Sequence, residues 1–535
     1  MMDAWLHGWS GLALGYAAVQ GPMIAGLIRA RAKFSHYALS PLVAMPLTAI
    51  VAGGSAMFAT HGAFHIAIAA GASAALGYAG GGVIANDDAT DKIHQRGSLV
   101  ADSAARRTTF SKQSSREAAI TLAGIAVPEL DETKHFKLIG TTGTGKSTAV
   151  QEIMSSALAR GDRAVISDPD GGYVRRFYRE DRGDIILNPF DERSVKWDLF
   201  GEIRNTYDVE QLARSLIPDH EGADRSWRGY ARTFFTAVTR QARAAGISDV
   251  GELYRLLVVA DAGELRRLVG GTPAQPFLDE HNSRMFDSIR SVTSSAVGAL
   301  DYISQQKAPP LSIRDWVSDQ EPGVLFIPYK AGQIAALRST ISAWMRLAIF
   351  ETMDHSEENT RLWFVVDELD ALGQIDGLKD ALARLRKFNG RCILGFQSLA
   401  QVSSTYGSGD AHTLIENCGN TLILRCSSSE GGGTARFASQ LIGEREVLRN
   451  TVPRSRRPTD MLDSVSRSQH YSVESAVLPS EVEQLPDLTG YLKYAGDPTW
   501  ARVWLDAKHA WHAAKPEAQS SRDARPQRIP DASHE

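Results

Sequence analysis

Residues 140–147 read Gly-Thr-Thr-Gly-Thr-Gly-Lys-Ser, and Thr148 follows them. No other stretch restricts so tightly what this chain can fold into. The run fits G-x-x-x-x-G-K-[ST] with one glycine more than the pattern needs. Strand-like His135–Ile139 leads into it and helix-like Thr148–Leu158 leads out, which is the setting a phosphate-cradling loop requires. Glycines let backbone N–H groups converge on phosphates, and the helix N-terminus adds partial positive charge. Lys146 is then expected to reach the β and γ phosphates, and Ser147 to ligate Mg²⁺. The ATP-contacting set expected is Gly140, Thr141, Thr142, Gly143, Thr144, Gly145, Lys146, Ser147 and Thr148. A chance glycine-rich loop is the bland alternative, and these flanks disfavour it.

Such a loop needs an acidic partner at the tip of a neighbouring strand. Leu362-Trp363-Phe364-Val365-Val366-Asp367-Glu368 supplies it. The apolar run reads as a strand buried on both faces, as in a parallel sheet. Asp367 is expected to hold the Mg²⁺ water shell, and Glu368 to orient and polarise the attacking water. A nucleotide switch that never hydrolyses has no need of that second carboxylate. The next apolar run, Cys392–Phe396, ends in Gln397, whose amide is placed to sense the γ-phosphate or position water. An ordinary strand-end glutamine is the alternative. Between the two runs, Leu378, Leu382 and Leu385 mark a helix that carries Arg384, Arg386 and Lys387 near its end, where cations also suit the helix dipole.

No Asp, Glu, Lys or Arg occurs between Phe34 and Asn86, a length that accommodates two membrane spans of about 20 residues. The partition expected is 39–59, a turn at Thr60-His61-Gly62, and 63–85. Arg29, Arg31 and Lys33 precede the pair, and Lys92, Arg96, Arg106 and Arg107 follow it. Both flanks are therefore expected in the cytoplasm, making a hairpin with almost nothing outside. Its many small residues suit close helix approach in lipid. A buried soluble hairpin is the alternative reading. Residues 5–28 are also uncharged but diluted by His7, Gln20, Pro22 and glycines. They read as a peripheral or re-entrant helix, with a third span as the other possibility.

The formal net charge of −4 excludes a globally basic DNA coater while leaving room for a locally positive channel. Cys392, Cys418 and Cys426 lack metal-site spacing and read as buried free thiols of a reducing compartment. From residue 513 onward the chain is polar and aperiodic, the signature of a disordered tail. Residues 203–304 read as a helical insertion. Its clearest helix, 225–244, sets Trp227, Ala231, Phe234 and Val238 on one face and Arg225, Arg228, Arg232 and Arg243 on the other. A solvated arginine face is the usual explanation of that stripe; contact with DNA phosphates is the alternative.

Taken together these residues resemble the type IV secretion coupling proteins, the TraD-like conjugative DNA pumps. His135-Phe136 with Gly140–Ser147 is close to that family's phosphate loop. Val165–Gly171, Ile186–Asp191 with Trp197–Phe200, Val366–Leu369, Arg386-Lys387-Phe388 and Gly395–Ser398 with Gln401 and Tyr406-Gly407 continue the likeness. Leu478–Glu481, Leu485-Pro486 and Gly490-Tyr491 close it. The resemblance implies a ring, a homo-hexamer with ATP held between subunits, in which Arg386 acts on the neighbour's nucleotide; Arg384 sits close enough to compete. It implies a helical domain at the insertion and a tail of the kind that recruits the relaxosome. Asp168 falls at a strand tip, where a structural turn is the expected role. The nearly absent periplasmic loop departs from better-known members and bears on how a secretion channel is contacted.

The fold class expected is α/β: a RecA-like P-loop nucleotide-binding domain with an inserted all-helical domain and an N-terminal transmembrane helical hairpin. The boundaries are 1–90 for the anchor, 91–202 and 305–512 for the nucleotide-binding domain, 203–304 for the insertion and 513–535 for the tail. The function expected is an ATP-driven DNA translocase, multi-pass in the bacterial inner membrane with its motor in the cytoplasm, linking relaxase-bound DNA to type IV secretion channel components. Glu368, Arg386, Gln397 and Lys146 are the expected catalytic residues, Ser147 and Asp367 the Mg²⁺ ligands. The alternatives are a membrane-anchored nucleotide-dependent receptor that does not pump, and a septal chromosome translocase. Against the latter, the spans are few and no long Pro/Gln-rich linker or winged-helix end is recognisable.

Overall fold

A computed structural model describes residues 2–29, 34–57, 71–78, 92–102, 119–219, 224–319, 321–354, 361–429, 432–451, 454–455, 464–465, 468–506 and 508. The chain divides into two compact units: Met1–Gly97 with Glu444–Glu474, and Ser98–Gly443 with Ser475–Glu535.

In the first unit, α1 (Met2–Arg29) and α2 (Phe34–Met57) are joined by a Gln20 Nε2 to Ser40 Oγ hydrogen bond of 2.6 Å. Residues 71–78 are helical. A Cβ added at Gly26 would strike the backbone at Ala74 and Tyr78, and one at Gly77 the backbone of Met23. These glycines therefore let α1 and residues 71–78 touch backbone to backbone; residues 5–28, expected as a peripheral or re-entrant helix, fall within α1. The first expected span falls largely on α2; the second is described only at 71–78. Among the described residues no helix is long and apolar enough to cross a membrane. Ser40, Pro41, Pro46 and Thr48 interrupt the apolar run of α2. Strands Lys92–Gly97, Glu444–Thr451 and Ser468–Ser475 form a sheet in that order, the first pair antiparallel. The strand Glu444–Thr451, within a segment read from the sequence as nucleotide-binding domain, thus pairs with the strand Lys92–Gly97 that follows the apolar N-terminal segment.

The second unit is built on ten strands. In chain order they are β1 (Val100–Asp102), β2 (Phe136–Ile139), β3 (Arg163–Pro169), β4 (Ile185–Ile186), β5 (Val324–Tyr329), β6 (Leu362–Val366), β7 (Gly390–Phe396), β8 (Asn420–Ile423), β9 (Thr489–Lys493) and β10 (Trp500–Trp504). Their spatial order is β1-β10-β9-β8-β2-β7-β6-β3-β5-β4. From β8 to β4 all neighbours run parallel, while β9 lies antiparallel to β8 and β10. Every residue of β6 and β7 is buried, as a sheet covered on both faces demands.

Alternate residues feed two cores. On one face Phe136, Ile166, Trp363 and Ile393 pack with Val150, Ile153 and Ala157 of α3 (Lys146–Ala159). On the other, Val165, Phe364, Leu394 and Phe396 belong to the same core as the helical insertion. That insertion contains α4 (Asp208–Leu216), α5 (Arg225–Ala244) and α6 (Ser283–Val297), and Lys196–Trp197 pairs in parallel with Pro310–Leu311 at its base. α7 (Ile334–Asp354) and α8 (Leu378–Leu385) complete this layer.

α5 buries Ala231, Phe234 and Val238 as its periodicity predicts. Its arginines divide: Arg232 pairs with Asp219 at 2.5 Å and Arg228 reaches the Pro218 carbonyl, while Arg225 and Arg243 stay exposed. Cys392, Cys418 and Cys426 are buried free thiols. The tail expected from residue 513 lies outside the described residues.

Candidate active site

The site forms where the parallel strands end. β2 stops at Ile139 and the chain turns through Gly140–Gly145 into α3. Gly140 N donates to the Phe396 carbonyl at 3.3 Å and Thr141 N to the Arg425 carbonyl at 2.9 Å, so the loop is slung between the ends of β7 and β8. Gly145 adopts φ +118°, a conformation side chains other than glycine's rarely take, and a Cβ there would sit 2.9 Å from Leu488 Cδ2 and Leu505 Cδ1. The Lys146 ammonium is buried and donates to Gly140 O at 2.6 Å and Thr141 O at 3.2 Å. Burial lowers its pKa, while Asp367 and Glu368 act in the opposite direction.

The acidic strand does not sit next to β2 as the sequence suggested. β7 lies between them, so the direct neighbour of the phosphate loop ends in Gln397. This order brings three strand tips onto one cleft. Thr142 Oγ1 donates to Gln397 Oε1 at 2.9 Å, and Gln397 Nε2 donates to Glu368 Oε1 at 3.2 Å. The amide is thereby the link between the phosphate loop and the second carboxylate. Gly395 has no room for a side chain, since a Cβ would strike the Asp367 carbonyl. Burial raises the pKa of Glu368, helped by the charges of Asp367 and Asp370 and countered by Lys146 and Gln397. A carboxylate so raised is a better proton acceptor.

Ser147 Oγ donates to Asp367 Oδ2 at 2.6 Å. Asp367 is 3% exposed, yet among the described residues its Oδ1 has no hydrogen-bond partner. A hydroxyl and an open buried carboxylate oxygen form a hard-oxygen donor set suited to Mg²⁺. Leaving such an oxygen unpaired costs on the order of 1–3 kcal/mol or more for a charged group, so the fit is good.

Thr142, Gly143, Gly145, Lys146, Ser147 and Thr148 line a cleft of about 360 Å³ together with Asp367, Glu368 and Gln397. Gly140 and Thr141 serve it through backbone carbonyls, and Thr144 is buried beneath it. Asp168 is fully buried at the tip of β3 and accepts the N–H groups of Tyr173 and Val174 at 3.0 and 2.8 Å. Burial pushes its pKa up to about 6 against the pull of those N–H groups. Its place is the structural turn expected from the sequence.

Arg386 is not in this cleft. It lies in the turn Arg386–Phe388 just before β7 begins, at the end of that strand opposite the cleft. It is exposed, as is Arg384. Arg386 lines a cavity of about 840 Å³ with Lys134, Arg361 and Arg391.

Sequence reasoning missed Asp487 and Leu488, which also line the cleft. Leu488 N donates to Thr144 O at 2.9 Å, and Asp487 pairs with Arg425 at 2.6 Å. The Leu485-Pro486 and Gly490-Tyr491 signature brackets them but carried no hint of contact with a loop some 340 positions earlier.

The family model described as the type IV secretion-system coupling protein DNA-binding domain matches residues 119–506. The chain belongs to this family. The match includes every site residue described above. Coupling protein TraD of Escherichia coli (strain K12) is 32% identical over 392 residues, covering 72% of this chain and 54% of TraD. Conjugal transfer protein TraG of Escherichia coli is 22% identical over 420 residues, covering 68% of this chain and 64% of TraG. The chain thus spans between about half and two thirds of these relatives. Among solved structures, the bacterial conjugative coupling protein TrwBdeltaN70 superposes with a TM-score of 0.69 at 31% identity, covering 78% of this chain and 94% of that one. Plasmid coupling protein TrwB in complex with ADP and Mg²⁺ gives a TM-score of 0.68 at 31% identity, with 78% and 95% covered. These likenesses bear out the α/β nucleotide-binding fold with a helical domain.

Proposed function

We propose that the chain is a membrane-anchored ATPase that drives DNA translocation, coupling relaxase-bound DNA to a conjugative type IV secretion channel. The observation that carries this reading is the single cleft joining Lys146, Ser147, Asp367, Glu368 and Gln397. A receptor that only docked nucleotide would need the first three alone. The relatives named for conjugal transfer and coupling favour the same reading, as do TrwB structures with an ATP analogue and with ADP and Mg²⁺.

In this mechanism the loop N–H groups and Lys146 hold the β and γ phosphates. Ser147 and Asp367 would hold Mg²⁺, which when bound neutralises phosphate charge. Glu368 orients the attacking water and takes its proton, a role its raised pKa favours. Gln397 reads whether the γ-phosphate is present and passes that to Glu368 along the two hydrogen bonds it makes.

Arg386 completes the site of an adjoining subunit in a homo-hexameric ring. Its position at the end of β7 opposite the cleft, beside other cations in an open cavity, supports action in trans. The uncharged stretch from Phe34 to Asn86 and the backbone contact of Gly26 and Gly77 support an anchor in the bacterial inner membrane, with the motor in the cytoplasm. The testing experiment is ATP turnover by the purified full chain, with and without DNA, at several protein concentrations. Turnover that rises with DNA and with protein concentration is expected. Nucleotide binding without turnover under all conditions would leave a docking receptor.

A further inference from the structure

Directly beneath the expected metal ligand lies a phenol that the mechanism above leaves unused. Tyr173 is 2% exposed, and its hydroxyl donates to Asp367 Oδ2 at 2.7 Å. Ser147 Oγ donates to the same oxygen at 2.6 Å. Both donors therefore share one oxygen of the carboxylate, and among the described residues Oδ1 is buried without a hydrogen-bond partner. The phenol is itself pinned. Asp170 and Gly171 turn the chain at φ +59° and +69°, and Asp168, buried at the β3 tip, accepts Tyr173 N and Val174 N. The buried carboxylate thus fixes the backbone that delivers the hydroxyl.

We propose that Tyr173 is a positioning residue for Asp367, setting the carboxylate so that Oδ1 faces Mg²⁺, with Asp168 as its anchor. Ser147 would meet the metal through an oxygen lone pair while its O–H can stay on Asp367. Tyr173 is the second donor on Oδ2, held by the buried turn at Asp168 rather than by the phosphate loop, and a carboxylate left with Ser147 alone keeps more freedom about its Cβ–Cγ bond. Hydrogen-bond partners of metal-ligating carboxylates typically contribute about 10–100-fold in metal affinity or activity. Tyr173 also fills the apolar core on the α3 face with its ring, so ring and hydroxyl have separable roles.

The proposal rests on the Mg²⁺ assignment above, and the test separates the two. Binding of a fluorescent ADP to the full chain is measured in EDTA and in saturating Mg²⁺, for the wild type, Tyr173→Phe and Asp367→Asn. Tyr173→Phe should bind ADP in EDTA within about twofold of wild type. Its tightening by Mg²⁺ should shrink by about tenfold, equivalent to about 1.4 kcal/mol. The Mg²⁺ concentration for half-maximal turnover should rise by a similar factor, while the melting temperature without nucleotide stays put.

Should the phenylalanine variant not fold, Asp168→Asn, which keeps an acceptor for one of the two N–H groups, is expected to reduce the tightening in the same direction. Wild-type tightening in the folded variant overturns the proposal. Wild-type tightening in Asp367→Asn would instead remove Asp367 from the metal site and leave Tyr173 nothing to position.

Discussion

Replacing Arg386 by alanine probes the assignment that most depends on assembly. β7 runs seven residues from Gly390 to Phe396, about 20 Å at 3.3 Å per residue. Arg386 precedes one end of it and Gln397 follows the other. An extended arginine side chain reaches only about a third of that span, so Arg386 cannot touch nucleotide held by its own phosphate loop. The Arg386→Ala chain should therefore bind ATP as wild type does. Its turnover should fall by about 10³–10⁵, the usual worth of an arginine finger, or about 4–7 kcal/mol of barrier at 1.36 kcal/mol per decade.

Lys146→Ala should also be inactive, because it removes the cation that faces the phosphates. Mixing the two variants is decisive. A competent interface needs an intact loop on one side and an intact arginine on the other. In a ring with heterologous interfaces, random equal mixing makes about one interface in four competent. Steady-state ATPase measured across mixing ratios should peak near equality, well above either variant alone. A flat profile with demonstrated subunit exchange, or an Arg386→Ala chain at wild-type turnover, would refute the trans assignment.

Glu368→Gln keeps an acceptor for Gln397 Nε2 and removes the proton acceptor. Single-turnover assays should show nucleotide bound while hydrolysis slows by about 10²–10⁴, and unchanged hydrolysis would exclude Glu368 as the base. Gly145→Ala imposes a side chain at φ +118° and 2.9 Å from Leu488 and Leu505, at a cost of about 1–3 kcal/mol from backbone strain; thermal melting should fall and nucleotide affinity with it. His135, buried between the Leu382 carbonyl and Cys392 N, has its pKa pushed down to about 4 by burial, despite the pull of that carbonyl. Between pH 6.5 and 4 the unfolded chain binds a proton that the folded one refuses, so this group's contribution is full above 6.5 and lost as pH falls. Denaturant melts of wild type and His135→Asn across that window should converge in acid by about 3 kcal/mol, and parallel curves would contradict the neutral buried imidazole.

Local patterns carried much of this site into view. The phosphate loop announces itself because strand, glycines and helix are contiguous, and the runs ending in Glu368 and Gln397 are legible as wholly apolar strands. The order of those strands is not written locally. Nothing in Leu362–Val366 or Gly390–Phe396 states which lies beside β2, because parallel neighbours are joined by long crossovers and chosen by packing on both faces. Leu488 reaches Thr144 and Asp487 reaches Arg425 from the turn that leads into the antiparallel strand β9, so their contacts are a property of the assembled sheet. Tyr173 carries no local signal in the sequence. Its hydroxyl acquires meaning only from the position of Asp367, 194 residues away in sequence. The strand pairing of Arg445–Arg449 with Lys92–Gly97 is equally remote and had no periodic signal to mark it.

The excursion of residues 444–474 has a topological corollary. The chain passes between its two compact units at Gly97–Ser98, at Gly443–Glu444 and at Glu474–Ser475. Because Glu444–Glu474 is bracketed by two of these crossings, the first unit is assembled from segments on either side of most of the second, and no single cut of the chain releases it whole. The same arrangement makes the small sheet an internal splice: excising the N-terminal residues through Gly97 would strip Glu444–Thr451 of its antiparallel partner and expose a bare strand edge.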